Sequence, residues 1–174
     1  MTGLIHVYEG DGKGKTTAAV GLAVRCAGSG RRVLFSQFLK SDTSNELKVL
    51  RNIENIEVYT KKNNLGFTFN MTEEEKILAK DFFTNHLKEI IHLATEKEVD
   101  LLVMDEIIDA YNLNMIEHDI LIDFLKSRPK NLEIVMTGRN PKEEIVELAD
   151  YLTHFQKVKH PFDKGIRARV GIEM

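Results

Sequence analysis

Leu4-Ile5-His6-Val7-Tyr8-Glu9-Gly10-Asp11-Gly12-Lys13-Gly14-Lys15-Thr16-Thr17 is the stretch whose reading decides the fold. An apolar run, Leu4 to Tyr8, reads as a strand. Alternating glycines follow, and Thr16 to Ala27 has helical character. Strand, glycine-rich turn and helix form the context of a phosphate-binding loop. Glycine admits backbone angles that other residues avoid, so successive N–H groups can turn toward one anion. The helix adds its free N-terminal N–H groups and the positive end of its dipole. Lys15 brings a mobile charge and Thr16 a hydroxyl able to ligate Mg²⁺. The candidate nucleotide-binding set is therefore Gly10, Asp11, Gly12, Lys13, Gly14, Lys15, Thr16 and Thr17.

The common loop pattern is a glycine, four intervening residues, and then Gly-Lys-Ser/Thr. Here Glu9 stands in place of that first glycine, so the match is imperfect. A second feature supports the reading. Leu101-Leu102-Val103-Met104-Asp105-Glu106 is a buried-strand pattern that ends in two carboxylates. Carboxylates at such a strand end, beside the loop, are where folds of this kind hold the Mg²⁺ that accompanies the phosphates. Thr16, Asp105 and Glu106 are the candidate metal ligands.

Outward from these two stretches the chain alternates strand and helix. Arg32–Phe38, Ile56–Tyr59, Leu132–Met136 and Tyr151–Val158 read as further strands. Gly28 and Gly30 mark the end of the first helix. Glu46–Asn52 suits a short helix. A capping box, Thr72 with Glu75, opens a long helix to about Lys97, with Ile77, Phe83, Leu87, Ile90, Ile91 and Ala94 on its apolar face. Ile116–Ser127 is helical and ends before Arg128-Pro129. Asn140-Pro141-Lys142-Glu143 reads as cap, first-turn proline and third-position glutamate of another helix. Strands that are apolar on both faces and alternate with helices predict an α/β fold with a mostly parallel sheet.

Composition sets limits. One domain is expected over residues 1–174, long enough to bury a core without staples. The net charge of −3 implies no broad field for nucleic acid or membrane. No apolar run reaches the roughly 20 residues of a membrane span. The lone Cys26 can form no internal disulfide and reads as a buried thiol. With the first strand starting almost at Met1 and no leader, a cytoplasmic protein is expected. His86 and His92 are six apart and share no helix face, so no metal pair is expected from them.

These residues supply nucleoside triphosphate and Mg²⁺ but not the reaction. Phe67 and Phe69 are two apart, so in an extended loop both rings face one neighbour. They either pin the loop to the core or form an apolar wall against a large flat ligand. A kinase or an ATPase switch would share the loop, although Gly10 stands where switch ATPases carry an extra lysine. A nucleotide-binding regulatory module is a third reading.

From Val7 to Glu173 the chain resembles the P-loop-type ATP:corrinoid adenosyltransferases. The resemblance rests on Gly10 to Thr17, Gln37-Phe38-Leu39-Lys40, Gly66-Phe67-Thr68-Phe69 and Val103-Met104-Asp105-Glu106. It extends to Thr137-Gly138-Arg139, Leu148-Ala149-Asp150 and Val158-Lys159-His160-Pro161-Phe162-Asp163-Lys164-Gly165. It implies a P-loop NTPase-like (RecA-like) three-layer α/β/α fold, and the family too lacks the first loop glycine. It implies ATP bound with its phosphates reversed relative to ordinary P-loop enzymes. Cobalt(I) of a corrinoid (cobalamin, cobinamide or cobyrinic acid a,c-diamide) then attacks the ribose 5′ carbon, and tripolyphosphate leaves. Lys15 and Thr16 would hold the leaving group, and Phe67 and Phe69 would lie against the lower corrin face. Arg139, Lys159, His160 and Asp163 would contact ATP or corrinoid. The implied partners are ATP, a reduced corrinoid, a flavoprotein-type electron donor and a second copy of the chain. Some relatives of this kind carry tryptophan at the position of Phe69, and relatives often have an N-terminal extension over the site.

Overall fold

The computed structural model describes residues 2–40, 44–61 and 71–173. Its strands are β1 (Ile5–Glu9), β2 (Val33–Gln37), β3 (Ile56–Val58), β4 (Leu101–Asp105), β5 (Glu133–Thr137) and β6 (Tyr151–His154). They form one sheet in the order β3-β2-β4-β5-β1-β6, and every pairing is parallel. The helices are α1 (Lys15–Gly28), α2 (Asn45–Leu50), α3 (Glu73–Glu96), α4 (Ile107–Asn112), α5 (His118–Ser127) and α6 (Glu143–Leu148). Among the described residues, no helix is long and apolar enough to cross a membrane.

Side chains alternate across a strand, so each strand feeds two cores. On one face Val33, Phe35, Leu101, Val103 and Val135 pack with Ala19, Ala23 and Ala27 of α1. Those alanines are four apart, one stripe of the helix, and their small size lets α1 lie close on the sheet. On the other face Ile5, Val7, Leu34, Leu102, Met104, Ile134 and Met136 pack with α3, α4, α5 and Ile145 of α6. Both sides of the sheet are thereby covered, as the runs of apolar residues in β2 and β4 require.

Several expectations need correcting. The helix stretch α4 was not foreseen at all. It follows β4 after a single residue. The sixth strand ends at His154, not Val158. The helix after Pro141 is capped by Lys142 rather than Asn140, because Asn140 takes a left-handed turn (φ 49°). Gly28 lies inside α1 and Ser29 is its cap. Ile77 is 63% exposed, so the apolar face of α3 starts at Ala79. The Thr72–Glu75 capping box is present in both directions.

His86 is a core histidine. It is buried, pairs through Nε2 with Ser36 Oγ at 2.8 Å, and stacks on Tyr59. Burial, then the nearby Lys61, pushes its pKa down to about 4 against a smaller upward pull from Glu89. The unfolded chain therefore takes up a proton near pH 6.5 that the folded chain refuses until about pH 4. Stability from this group is complete above pH 6.5 and falls as pH drops through that window. Denaturant titrations at pH 7 and pH 5 should show wild type losing about 2 kcal/mol more than His86→Gln. An equal loss in both proteins would place the proton uptake elsewhere.

Candidate active site

The C-terminal ends of β1, β2, β4 and β5 meet at one edge of the sheet, where ligands of open α/β sheets bind. After β1 comes the glycine loop. Gly10 and Gly14 have φ of 114° and 120°, a region L-residues avoid. Gly10 and Gly12 also pass so close to the chain after β6 that an added Cβ would sit 2.6 Å from the Phe155 carbonyl oxygen. Gly12 N–H donates to that same oxygen at 2.6 Å. Glu9, the apparent misfit to the common motif, is simply the last residue of β1, and its carboxylate pairs with His154. It takes no part in the turn.

Helix α1 starts at Lys15 with Gly14 as its cap, and no side chain caps it. Its first N–H groups are thus left for an anion. Lys15 Nζ curls back over the loop and donates to the Gly10 and Gly12 carbonyl oxygens at 2.5 and 2.9 Å. Burial, and then Arg139, hold its pKa below the usual lysine value.

Asp105 is the hub of the second feature. It is fully buried at the end of β4. Its Oδ1 accepts from Thr16 Oγ1 at 2.9 Å and from Thr137 Oγ1 at 2.6 Å. Its Oδ2 accepts from Lys40 Nζ at 2.8 Å and from Gln37 Nε2 at 3.2 Å. β2 and β4 pair in register at Gln37 and Asp105, which brings the end of β2 to this carboxylate. Glu106 turns through a left-handed conformation (φ 61°) to start α4, and its N–H donates to Thr137 Oγ1. Such a turn costs energy in a residue with a Cβ and is held here by its neighbours. Burial chiefly, with Asp105 adding to it and Lys40 opposing, pushes Glu106 up to about 7. A hydroxyl and two carboxylates gathered in this way are the oxygen donors that suit a hard divalent cation. The fit is visible in the structure, because the ammonium of Lys40 already lies among them: 3.2 Å from Thr16 Oγ1, 2.8 Å from Asp105 and 3.4 Å from Glu106.

A cleft of about 310 Å³ opens over the loop. Asp11 to Thr17, Lys40, Glu106 and Arg139 form one wall. The other wall is the tail: His160, Pro161, Phe162, residues 166 to 169, Ile172 and Glu173. Six lining residues are Lys or Arg and three are Asp or Glu, a balance that suits a polyanion. Of the residues singled out from the sequence, Gly12, Lys13, Gly14, Lys15, Thr16, Thr17, Asp11, Arg139, His160 and Glu106 come together on this cleft. Gly10 sits behind it as an acceptor for Lys15. Asp105 lies beneath it, buried. Lys159 and Asp163 do not line it, and Asp163 pairs with Lys157 instead. Phe67 and Phe69 fall outside the described residues. Sequence reasoning missed the separate roles of Lys40 and Thr137, and it missed the arginines Arg167 and Arg169. The first two stood inside quoted motifs, while the last two had no signal beyond the basic character of the tail.

A parallel sheet covered on both faces, with this loop after β1 and a carboxylate after β4, defines a P-loop nucleotide-binding protein. Solved structures bear out the fold. The KaiC-like protein PH0186 of Pyrococcus horikoshii superposes with a TM-score of 0.59 at 17% identity, over 91% of this chain and 75% of that one. EssC ATPases 2 and 3 of Geobacillus thermodenitrificans give 0.54 at 15% identity, over 97% and 35%. Sequence relatives are narrower. The corrinoid adenosyltransferase of Escherichia coli K12 is 31% identical over 98% of this chain and 85% of its own length. Corrinoid adenosyltransferase CobA of Salmonella typhimurium is 32% identical over the same shares. The family model for the ATP:corrinoid adenosyltransferases BtuR/CobO/CobP matches residues 1–174. The chain belongs to that family.

Proposed function

We propose that this chain, acting as one domain over residues 1–174, transfers the 5′-deoxyadenosyl group of ATP to cobalt(I) of a corrinoid and releases tripolyphosphate. Cobalamin, cobinamide and cobyrinic acid a,c-diamide are the candidate acceptors. The observation that carries the reading is the cationic cleft over an uncapped helix start, in a chain of this family.

The electron balance is simple. Cobalt(I) gives an electron pair to the ribose 5′ carbon, and a cobalt–carbon bond forms. The carbon–oxygen bond breaks and its pair goes to the bridging oxygen of the triphosphate. The metal centre ends as alkylcobalt(III). Negative charge therefore grows on the leaving group, and donors fixed in advance lower the barrier most. The loop N–H groups, Lys15 and Thr16 would be those donors, with Arg139 beside them on the same wall of the cleft. Thr16, Asp105 and Glu106 would hold Mg²⁺, which when bound neutralises charge on the phosphate oxygens.

Phe67 and Phe69 are assigned to the lower corrin face by family resemblance alone. There they would keep an axial ligand off cobalt, so that cobalt(II) accepts an electron from a flavoprotein-type donor more readily. Phe67→Ala should then slow turnover mainly when the reaction starts from cobalt(II). Stopped-flow spectra from chemically prepared cobalt(I) should show a much smaller loss. Equal losses from both starting states would mean that the ring only packs.

The function itself is tested by mixing the protein with ATP, Mg²⁺ and a corrinoid reduced to cobalt(I). The expected result is an alkylcobalt spectrum that grows in step with ATP consumed. ATP consumption at one rate with or without corrinoid, and no spectral change, would favour an ATPase.

A further inference from the structure

The fold bends Gln37-Phe38-Leu39-Lys40 sharply at the end of β2. Leu39 is left-handed (φ 53°), and Lys40 N–H closes a tight turn onto the Phe38 carbonyl oxygen at 2.5 Å. Phe38 is buried, and its N–H donates to the Asp105 carbonyl oxygen. The backbone is thereby bent and anchored to the end of β4. The bend aims Lys40 into the edge of the sheet, where its side chain is only 27% exposed.

There its ammonium meets Thr16 Oγ1, Asp105 Oδ2 and Glu106 Oε1 together. These are the three groups assigned to magnesium. A cation on a flexible stem therefore lies where a divalent cation would bind.

The geometry points to Lys40 as a tethered cation that holds the magnesium position until metal arrives with nucleotide. This inference rests on the metal assignment made above. Without Lys40, or a metal in its place, Asp105 would be a buried charge short of its main counter-ion, which folds avoid. With Lys40 there, metal alone must displace a positive charge to enter. Metal carried in on the triphosphate brings a new anion, to which the freed ammonium moves. The result is an ordered site: magnesium binds with ATP and weakly without it.

Mn²⁺ titration followed by water-proton relaxation separates protein-bound Mn²⁺ from free Mn²⁺ and from Mn·ATP. Wild type should bind Mn²⁺ weakly alone and tightly with ATP. Lys40→Met and Lys40→Gln, each checked for folding by circular dichroism, should bind Mn²⁺ alone at least about tenfold more tightly than wild type, the scale of one opposing charge removed from a partly buried site. Tight Mn²⁺ binding by wild type without ATP would overturn the inference even if neither variant folds. Equal metal-only affinity in wild type and variants, with ATP still recruiting Mn²⁺, would overturn it too while leaving the metal assignment intact. Failure of every protein to take up Mn²⁺ with ATP would overturn the metal assignment and the inference together.

Discussion

Lys15→Ala is expected to lower kcat by at least about 10²-fold, the scale of losing one preorganised charge contact to a transition state. The ammonium already lies over the loop, held by two carbonyl oxygens of the turn it will serve. When a triphosphate fills the turn, those bonds can be exchanged for phosphate contacts with little movement. The contact strengthens as the leaving group gains charge, so the loss should fall on kcat more than on KM. Lys15→Arg should not restore the rate, because a planar guanidinium does not fit where a compact ammonium points. Steady-state kinetics of the three proteins check this, and a near-normal kcat for Lys15→Ala would remove Lys15 from the chemistry.

Asp105→Ala is the second large effect, and it should damage both activity and fold. Four side-chain donors lose an acceptor: Thr16, Thr137, Lys40 and Gln37, of which Gln37 still has Glu46. Among the described residues, Lys40 then keeps Glu106 as its close ion-pair partner. Removing one member of a buried pair costs about 3–5 kcal/mol, so a fall near the lower figure is expected for this partly exposed partner. For a chain of this size that corresponds to a melting temperature lower by several degrees, on the order of 6–12 °C. Turnover should fall by roughly 10²-fold or more, because Thr16 and the expected metal lose their support together. Thermal melts and assays well below the transition separate the two effects. A variant that melts like wild type and keeps its turnover would show Asp105 to be a bystander.

Much of this was legible in the sequence, for a reason that can be stated. The loop combines glycines, Lys15 and Thr16 within seven residues, and each type is demanded by a local constraint of phosphate binding. The two carboxylates at the end of β4 follow four buried apolar residues, Leu101 to Met104, a pattern few other settings produce. The long helix α3 declared itself through its capping box, whose two hydrogen bonds are both made.

What stayed hidden depended on contacts between distant parts of the chain. Helix α4 has six residues, too few for a period to show, and begins from a left-handed glutamate. Asn140 looked like a cap by type, but its carbonyl and that of Arg139 accept from Asn112, a residue of that unforeseen helix. Lys40 entered the sequence reading only as the last residue of Gln37-Phe38-Leu39-Lys40. Its meaning came from the register of β2 against β4, which a linear reading cannot supply. Among the described residues, the tail that walls the cleft has no regular element beyond a short 3₁₀ turn at Pro161–Lys164, so no periodicity marked its path.

The most direct test follows the phosphorus. ³¹P NMR of a reaction containing the protein, ATP, Mg²⁺ and a cobalt(I) corrinoid should show intact tripolyphosphate as the product, equal in amount to the alkylcobalt formed. ADP with orthophosphate in its place would mean that the loop moves a phosphoryl group, and would contradict the account.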